Sequence, residues 1–327
     1  MRYWKLIENR LRSECFFYTV HFPRASLMSF HILALAPDEL DSREDNAPPR
    51  SISPATSVAT AFAVLATQTS AEAIRRAHAL HAGSEPEVLH KLRVALRRLR
   101  SLWWAYEPLL DQKDAKLKRG EFKYLADAAG KTRDWDVLRD ILMANQQKQL
   151  SHRRLIVAVE EHRTNALSLS LRTIRSAGVE EILQRAVAGA AHQLDSRSAL
   201  PVLSEFAEER VARAEKALQK RVRQATEPEH SGYATLHEVR ISGKKLRYLL
   251  EFFSPVLAHS HPSTIERLTS VQNELGKLND LVTSETLLRE YSFQLGEPDG
   301  VKEAVQYFDD QKRRHMRAAH EILRTAS

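Results

Sequence analysis

The chain has 327 residues, 43% of them hydrophobic and 28% charged, a balance that leaves room for a large core and excludes a disordered polyelectrolyte. Lys and Arg outnumber Asp and Glu by 49 to 42, a net charge of +7, which favours a polyanionic partner or an acidic surface. A single cysteine, Cys15, excludes an internal disulfide framework and a cysteine metal cluster and fits a reducing cytoplasm, and no apolar run nears the ~20 residues that span a bilayer.

With only 10 Gly and 12 Pro, and with Ala, Leu, Glu, Arg and Lys dominant, the expectation is an all-α fold of long helices. At the N-terminus, "LIENRLRSECFFYTV" is broken by charges where a secretory leader needs an apolar run, so secretion is not expected. "MSFHILALAPDEL" from Met28 reads as an alternative start, which makes residues 1–27 upstream sequence, and residues 1–54 as a whole read as a partly disordered N-terminal extension. Its polar, proline-bearing end leads into a first helix near Ser57. Further helices are predicted at about 86–107, 114–129, 134–174, 179–194, 200–225, 235–257, 263–278, 280–294 and 300–325, with breaks at segments such as "HAGSEPE", "AGKTRD", "DSRSALP" and "GEPDG".

The chain repeats itself. At an offset of 147 residues, "LHKLRVALRRLRSLWWAYEPLL" falls on "LHEVRISGKKLRYLLEFFSPVL". His90 meets His237, Arg93 meets Arg240, Arg97 meets Lys244, Arg98 meets Lys245 and Arg100 meets Arg247; among core positions, Leu89 meets Leu236, Val94 meets Ile241, Leu99 meets Leu246 and Tyr106 meets Phe253. At an offset of 146, "AGKTRD" meets "LGKLND", pairing Gly130 with Gly276, Lys131 with Lys277 and Asp134 with Asp280. Two homologous helical halves follow, at about 55–196 and 197–327, and a pseudo-two-fold relation between them would bring equivalent helices together.

At 100° per residue, His90, Arg93, Arg97 and Arg100 share an arc of about 80°, directly beside the apolar arc of Leu89, Leu92, Leu96, Leu99 and Trp103. His237, Arg240, Lys244 and Arg247 repeat those angles, beside Leu236, Val239, Leu246 and Leu250, whereas Lys91, Arg98 and Lys245 fall on the far side and read as solvated charges. One reading is that the stripe residues snorkel at the core edge and pair with carboxylates of neighbouring helices. The other is that eight cations in a partly desolvated place are relieved by a bound polyanion: Arg offers bidentate forks to phosphate, Lys a point charge, and His a donor whose charge depends on pH. Metal ligation by the histidines fares badly, because arginines one and two turns away would repel a divalent cation.

"EPEVLHKLRVALRRLRS" and "TLHEVRISGKKLRY", each followed by a Gly-Lys-x-x-Asp block, resemble the paired signatures of the CHAD family, the conserved-histidine α-helical domain, over about 55–327. The resemblance implies one compact all-helical domain of two four-helix bundles with a basic central groove that binds inorganic polyphosphate. Carried over by position, the binding residues are His90, Arg93, Arg97, Arg100, His237, Arg240, Lys244 and Arg247, with Lys131, Arg133 and Lys277 in a second tier. Asn279 stands where the first half has Arg133, so that pair does not match. CHAD domains often accompany a triphosphate-tunnel catalytic domain, but the residues before the helical region lack its alternating charged strands and no catalytic motif stands out, so the expectation is a stand-alone, non-catalytic module without cofactor or metal, cytoplasmic and associated with polyphosphate granules.

Rival motifs are weak. "AGKT" matches the tail of a phosphate-binding loop, but Leu125 occupies the place of that loop's first glycine. The acidic residues of "DWD", Asp134 and Asp136, read as helix-start caps. Nucleic acid is the alternative polyanion, although Trp103, Trp104 and Tyr106 do not interleave with the basic stripe as a base-stacking platform would. An acidic protein partner is the third possibility.

Overall fold

The computed structural model describes residues 51–80, 86–144, 151–227, 229, 232–259 and 261–325. Cys15, the start at Met28 and most of the 1–54 extension lie outside them. Among the described residues all regular structure is helical. Helix α1 (Val58–His78) starts at Ser57, whose hydroxyl accepts the Thr60 backbone N–H at 3.1 Å. It is followed by α2 (Pro86–Tyr106), a 3₁₀ turn (Glu107–Leu109), α3 (Gln112–Ala144), α4 (Ser151–Ser176) and α5 (Val179–Asp195). Then come α6 (Leu203–Thr226), α7 (Tyr233–Phe253), α8 (Pro262–Glu290), the single turn α9 (Ser292–Leu295) and α10 (Pro298–Thr325). Gly178 and Gly296, at φ 62° and 67°, supply the left-handed residues that reverse the chain before α5 and α10.

Two predicted breaks are not breaks. The helix α3 runs straight through "AGKTRD", and α8 runs through "LGKLND". Each of these helices serves more than one core, so its apolar face changes along its length. In α3, Phe122, Leu125, Ala126 and Ala129 enter the largest core, while Trp135, Leu138 and Leu142 enter a second one. In α8, Leu268 joins the first core, Leu275 and Leu278 a third, and Leu281 and Leu288 the second. That change of face breaks the 3.6-residue period, which on paper looks like a helix end. The long helix predicted over 134–174 is likewise two pieces, α3 ending at Ala144 and α4 starting at Ser151.

The first core is centred on an aromatic group. Phe62 of α1 meets Trp103 and Tyr106 of α2 edge-on at 5.0 and 4.9 Å, and Trp103 meets Phe122 of α3 at 5.0 Å. Leu89, Leu92, Leu96 and Leu99 are buried with them, as the apolar arc requires, and Leu246 and Leu250 of α7 join the same core, while Leu236 and Val239 are buried in the third. Val94 departs from its assignment as a core position: it is 37% exposed, because it sits outside the leucine arc. Ile52, before the first helix, is 5% exposed and packs into the same core.

Helix order follows the repeat. Both α2 and α7 have 21 residues, and α2 packs on α7, α3 on α8, α4 on α10 and α1 on α6, while α5 has no counterpart at the repeat offset. Polar contacts fix α3 against α4: the Thr132 hydroxyl donates to Ser170 Oγ at 3.1 Å, and Ser170 donates to the Ala128 carbonyl at 2.8 Å. Thr132, the threonine of the false phosphate-loop match, is thus a buried packing residue.

Candidate functional site

The contact between α2 and α7 sets the two basic stripes against each other. Arg97 feels the charges of Arg93, Arg240 and Arg100; Lys244 feels those of Arg97, Arg240, Arg247 and Arg93; His237 feels Arg240 and Arg97; and His90 feels Arg133, Arg93 and Arg97. All eight first-tier residues therefore belong to one electrostatic cluster. None of the eight is fully exposed or fully buried, as expected for side chains at the margin of a core.

Burial and mutual repulsion leave a mark on these groups. Burial first, then the neighbouring arginines, brings the Lys244 ammonium down to about 7. Burial likewise lowers Arg97 and Arg240, and it lowers His90 and His237 below the ordinary imidazole value, with nearby guanidinium charges adding to the effect. Nδ1 of His90 and Nε of Arg240 and Arg247 are buried without a hydrogen-bond partner in the protein.

Three stripe members have local partners. Arg93 Nη1 donates to the Gly130 carbonyl at 3.2 Å and lies 3.5 Å from Asp134. A Cβ at residue 130 would lie 2.4 Å from that nitrogen, so the missing side chain lets the guanidinium reach the helix backbone. Gly276, its repeat partner, has nothing within 4 Å of the equivalent point, and the structure gives no such reason for it. Arg247 pairs with Glu251 at 3.2 Å and lies over the Tyr248 ring. His237 Nδ1 is 3.3 Å from the Tyr233 hydroxyl, which donates to Asn279 Oδ1 at 3.2 Å. Asn279, the mismatch in the repeat, is thus linked through Tyr233 to the one histidine of its own half's stripe, His237.

Beside the cluster lies a pocket of about 360 Å³ to which α2, α3 and α7 contribute. Arg97, Arg100 and Lys244 line it, together with Lys116, Arg119, Lys123 and Lys245, and no acidic side chain does. Trp104, Tyr248, Ser101 and Ile241 form the rest of its surface along with Gly120. His90, Arg93, His237 and Arg247 are not in its lining, and Arg240 faces a different cavity.

The three α3 cations are absent from the sequence prediction. Their spacing at 116, 119 and 123 repeats that of His90, Arg93 and Arg97, a signal hidden in a segment that reads as ordinary surface. Lys245 is a correction: it lies 4.9 Å from the Trp104 ring centre inside the pocket, lowered by burial and by Arg119 and Arg100, rather than pointing into solvent. Arg98 is another, since it pairs with Glu251 at 3.3 Å and lies 5.4 Å over Phe252. Lys91 does sit exposed, near Glu87. Of the second tier, Arg133 is close enough to depress His90, whereas Lys131 is exposed and Lys277 pairs at the surface with Glu274. Asp134 and Asp136 are not helix-start caps, because α3 continues through them: Asp134 faces Arg93, and Asp136 is buried against Arg163 at 2.5 Å. Among the described residues no group of His, Cys, Asp and Glu is placed to hold a metal ion, and no helix is long and apolar enough to cross a membrane.

The profile of the CHAD domain matches residues 64–289, which takes in both stripes. The chain belongs to the CHAD family. Among solved structures, the crystal structure of the CHAD domain from the plant Ricinus communis matches it at 23% identity with a TM-score of 0.74, over 85% of this chain and 95% of that one. PptA from Streptomyces chartreusis matches at 16% identity with a TM-score of 0.61, over 83% of this chain and 99% of its own. At such identities the likeness is one of fold, and it agrees with the all-α CHAD architecture seen here. A comparison with curated proteins gave no match.

Proposed function

We propose that this CHAD-family chain binds inorganic polyphosphate in the basic pocket and the charge cluster beside it, as two helical halves related by a pseudo-two-fold. The observation that carries this reading is the lining: seven basic side chains around one pocket and no carboxylate among them. Arg119 pairs outside the lining with Glu107 at 2.8 Å and Lys123 with Asp127 at 2.7 Å, but the remaining cations at the core margin repel one another, and a chain of phosphates relieves that strain at many points along its length. Arg97 and Arg100 supply forks that match phosphate oxygens, while Lys244, Lys245 and the α3 lysines supply point charges. Arg93 is anchored by Asp134 and Gly130, and its role is to hold the edge of the cluster and add to its potential.

The proposed function is binding without turnover, and the pocket lining holds no carboxylate to carry a metal ion. The proposed setting is cytoplasmic, on polyphosphate granules. Nucleic acid is the second reading, favoured by Trp104 and Tyr248 in the lining. It is the weaker one because Trp104 already carries Arg210 and Lys245 over its ring, at 4.8 and 4.9 Å. Titration with long-chain polyphosphate, short-chain polyphosphate, single-stranded DNA and duplex DNA at one salt concentration separates these readings. Polyphosphate is expected to bind at least tenfold tighter than either DNA and to be recovered at unchanged length. Equal affinity for DNA, or shortened chains, overturns the proposal.

A further inference from the structure

The duplicated helices differ in the core in a way that leaves a hole. Gly243 of α7 stands where α2 has the fully buried Leu96, and Leu268 of α8 stands where α3 has Phe122. Around Gly243 a cavity of about 380 Å³ opens, lined by α6, α7, α8 and α10, within the size range of small-molecule sites. It shares no lining residue with the basic pocket.

Its walls are mostly hydrocarbon, from Val222, Val239, Leu268, Val271 and Leu275. One polar side chain is buried among them: Gln272 is 8% exposed, and its Nε2 has no acceptor in the protein. That nitrogen lies 3.5 Å from the point where a Gly243 Cβ would be, so it borders the space the missing side chain leaves. Arg240 enters from α7 with its Nε buried and also without an acceptor, Arg223 and Arg267 complete the lining with exposed guanidinium groups, and no acidic side chain takes part. A buried amide donor and a buried guanidinium donor, both lacking acceptors beside an apolar chamber, match a ligand with two acceptor oxygens on a hydrocarbon body.

We propose that this cavity binds a small aliphatic carboxylate, its chain against the valine and leucine walls and its two oxygens accepting from Gln272 Nε2 and the Arg240 guanidinium. Calorimetric titration of the full chain with decanoate, below its micellar concentration, tests the assignment against acetate and decanol. Decanoate is expected to bind at least tenfold tighter than decanol, which lacks the carboxylate, and a hundredfold tighter than acetate, which lacks the chain. Gly243→Leu restores the residue of the first repeat and fills the chamber; it is expected to weaken decanoate at least tenfold while circular dichroism shows the native helix content. Gln272→Leu, which serves equally if the first variant does not fold, is expected to weaken decanoate by a similar factor and to leave decanol unchanged. No binding of decanoate at millimolar concentration, decanol binding as tightly as decanoate, or unaltered decanoate affinity in a folded variant overturns the proposal. None of these results depends on whether polyphosphate binds elsewhere on the chain.

Discussion

Lys244 is the residue whose chemistry depends most on where it sits. Burial and the charges of Arg97, Arg240, Arg247 and Arg93 bring its ammonium down to about 7, against 10.5 for a free lysine. Between those values the unfolded chain holds the extra proton and the folded chain does not, so this group makes stability rise with pH across that window. A bound polyanion favours the charged ammonium, so binding takes up a proton and affinity falls as pH rises from about 7 toward 9. In titrations of the wild type across that range, polyphosphate affinity should drop severalfold, and Lys244→Arg should flatten the profile because its guanidinium stays charged. His90 and His237, lowered by burial and neighbouring guanidinium groups, act below the ordinary imidazole range and leave that window to the lysine.

Gly130→Ala gives a second residue-scale prediction. The new methyl group displaces the Arg93 guanidinium from the Gly130 carbonyl and Asp134, while helix propensity gains about 1 kcal/mol. Thermal unfolding should therefore show little loss of stability, and polyphosphate titration a loss of affinity of a few fold. At this scale the eight stripe residues were legible from periodicity and duplication alone. The Arg93–Asp134 contact and the pocket role of Lys245 were not, since both depend on which helix packs alongside.

Among elements, the helices were legible as a class and illegible where they change partners. The composition of α3 and α8 implied helix, but their apolar faces turn from one core to another, and the interrupted period around Gly130 and Gly276 mimicked a break. The same packing hides the pair that locks α3 to α4, Asp136 with Arg163 at 2.5 Å, where Asp136 is nearly inaccessible. Arg163→Leu leaves that carboxylate buried without its partner and should cost about 3 to 5 kcal/mol, read as a lower urea midpoint at unchanged slope. Charges at 116, 119 and 123 needed the α3 contact with α2 to show their meaning.

For the whole molecule, the proposed function implies that the arrangement trades stability for binding. Cations gathered at the margin of a shared core repel one another until a polyanion arrives, so removing them should stabilise the free protein while weakening the complex. Binding should also weaken steeply with salt, log K falling linearly with log salt concentration at a slope of several units, as each phosphate engaged releases counterions. The most direct test of the account is polyphosphate titration of the Arg97→Ala, Arg100→Ala, Lys244→Ala triple variant beside the wild type, at one pH and salt concentration. The account predicts at least a hundredfold weaker binding with a melting temperature equal to or above that of the wild type. Wild-type affinity in a folded triple variant would contradict it.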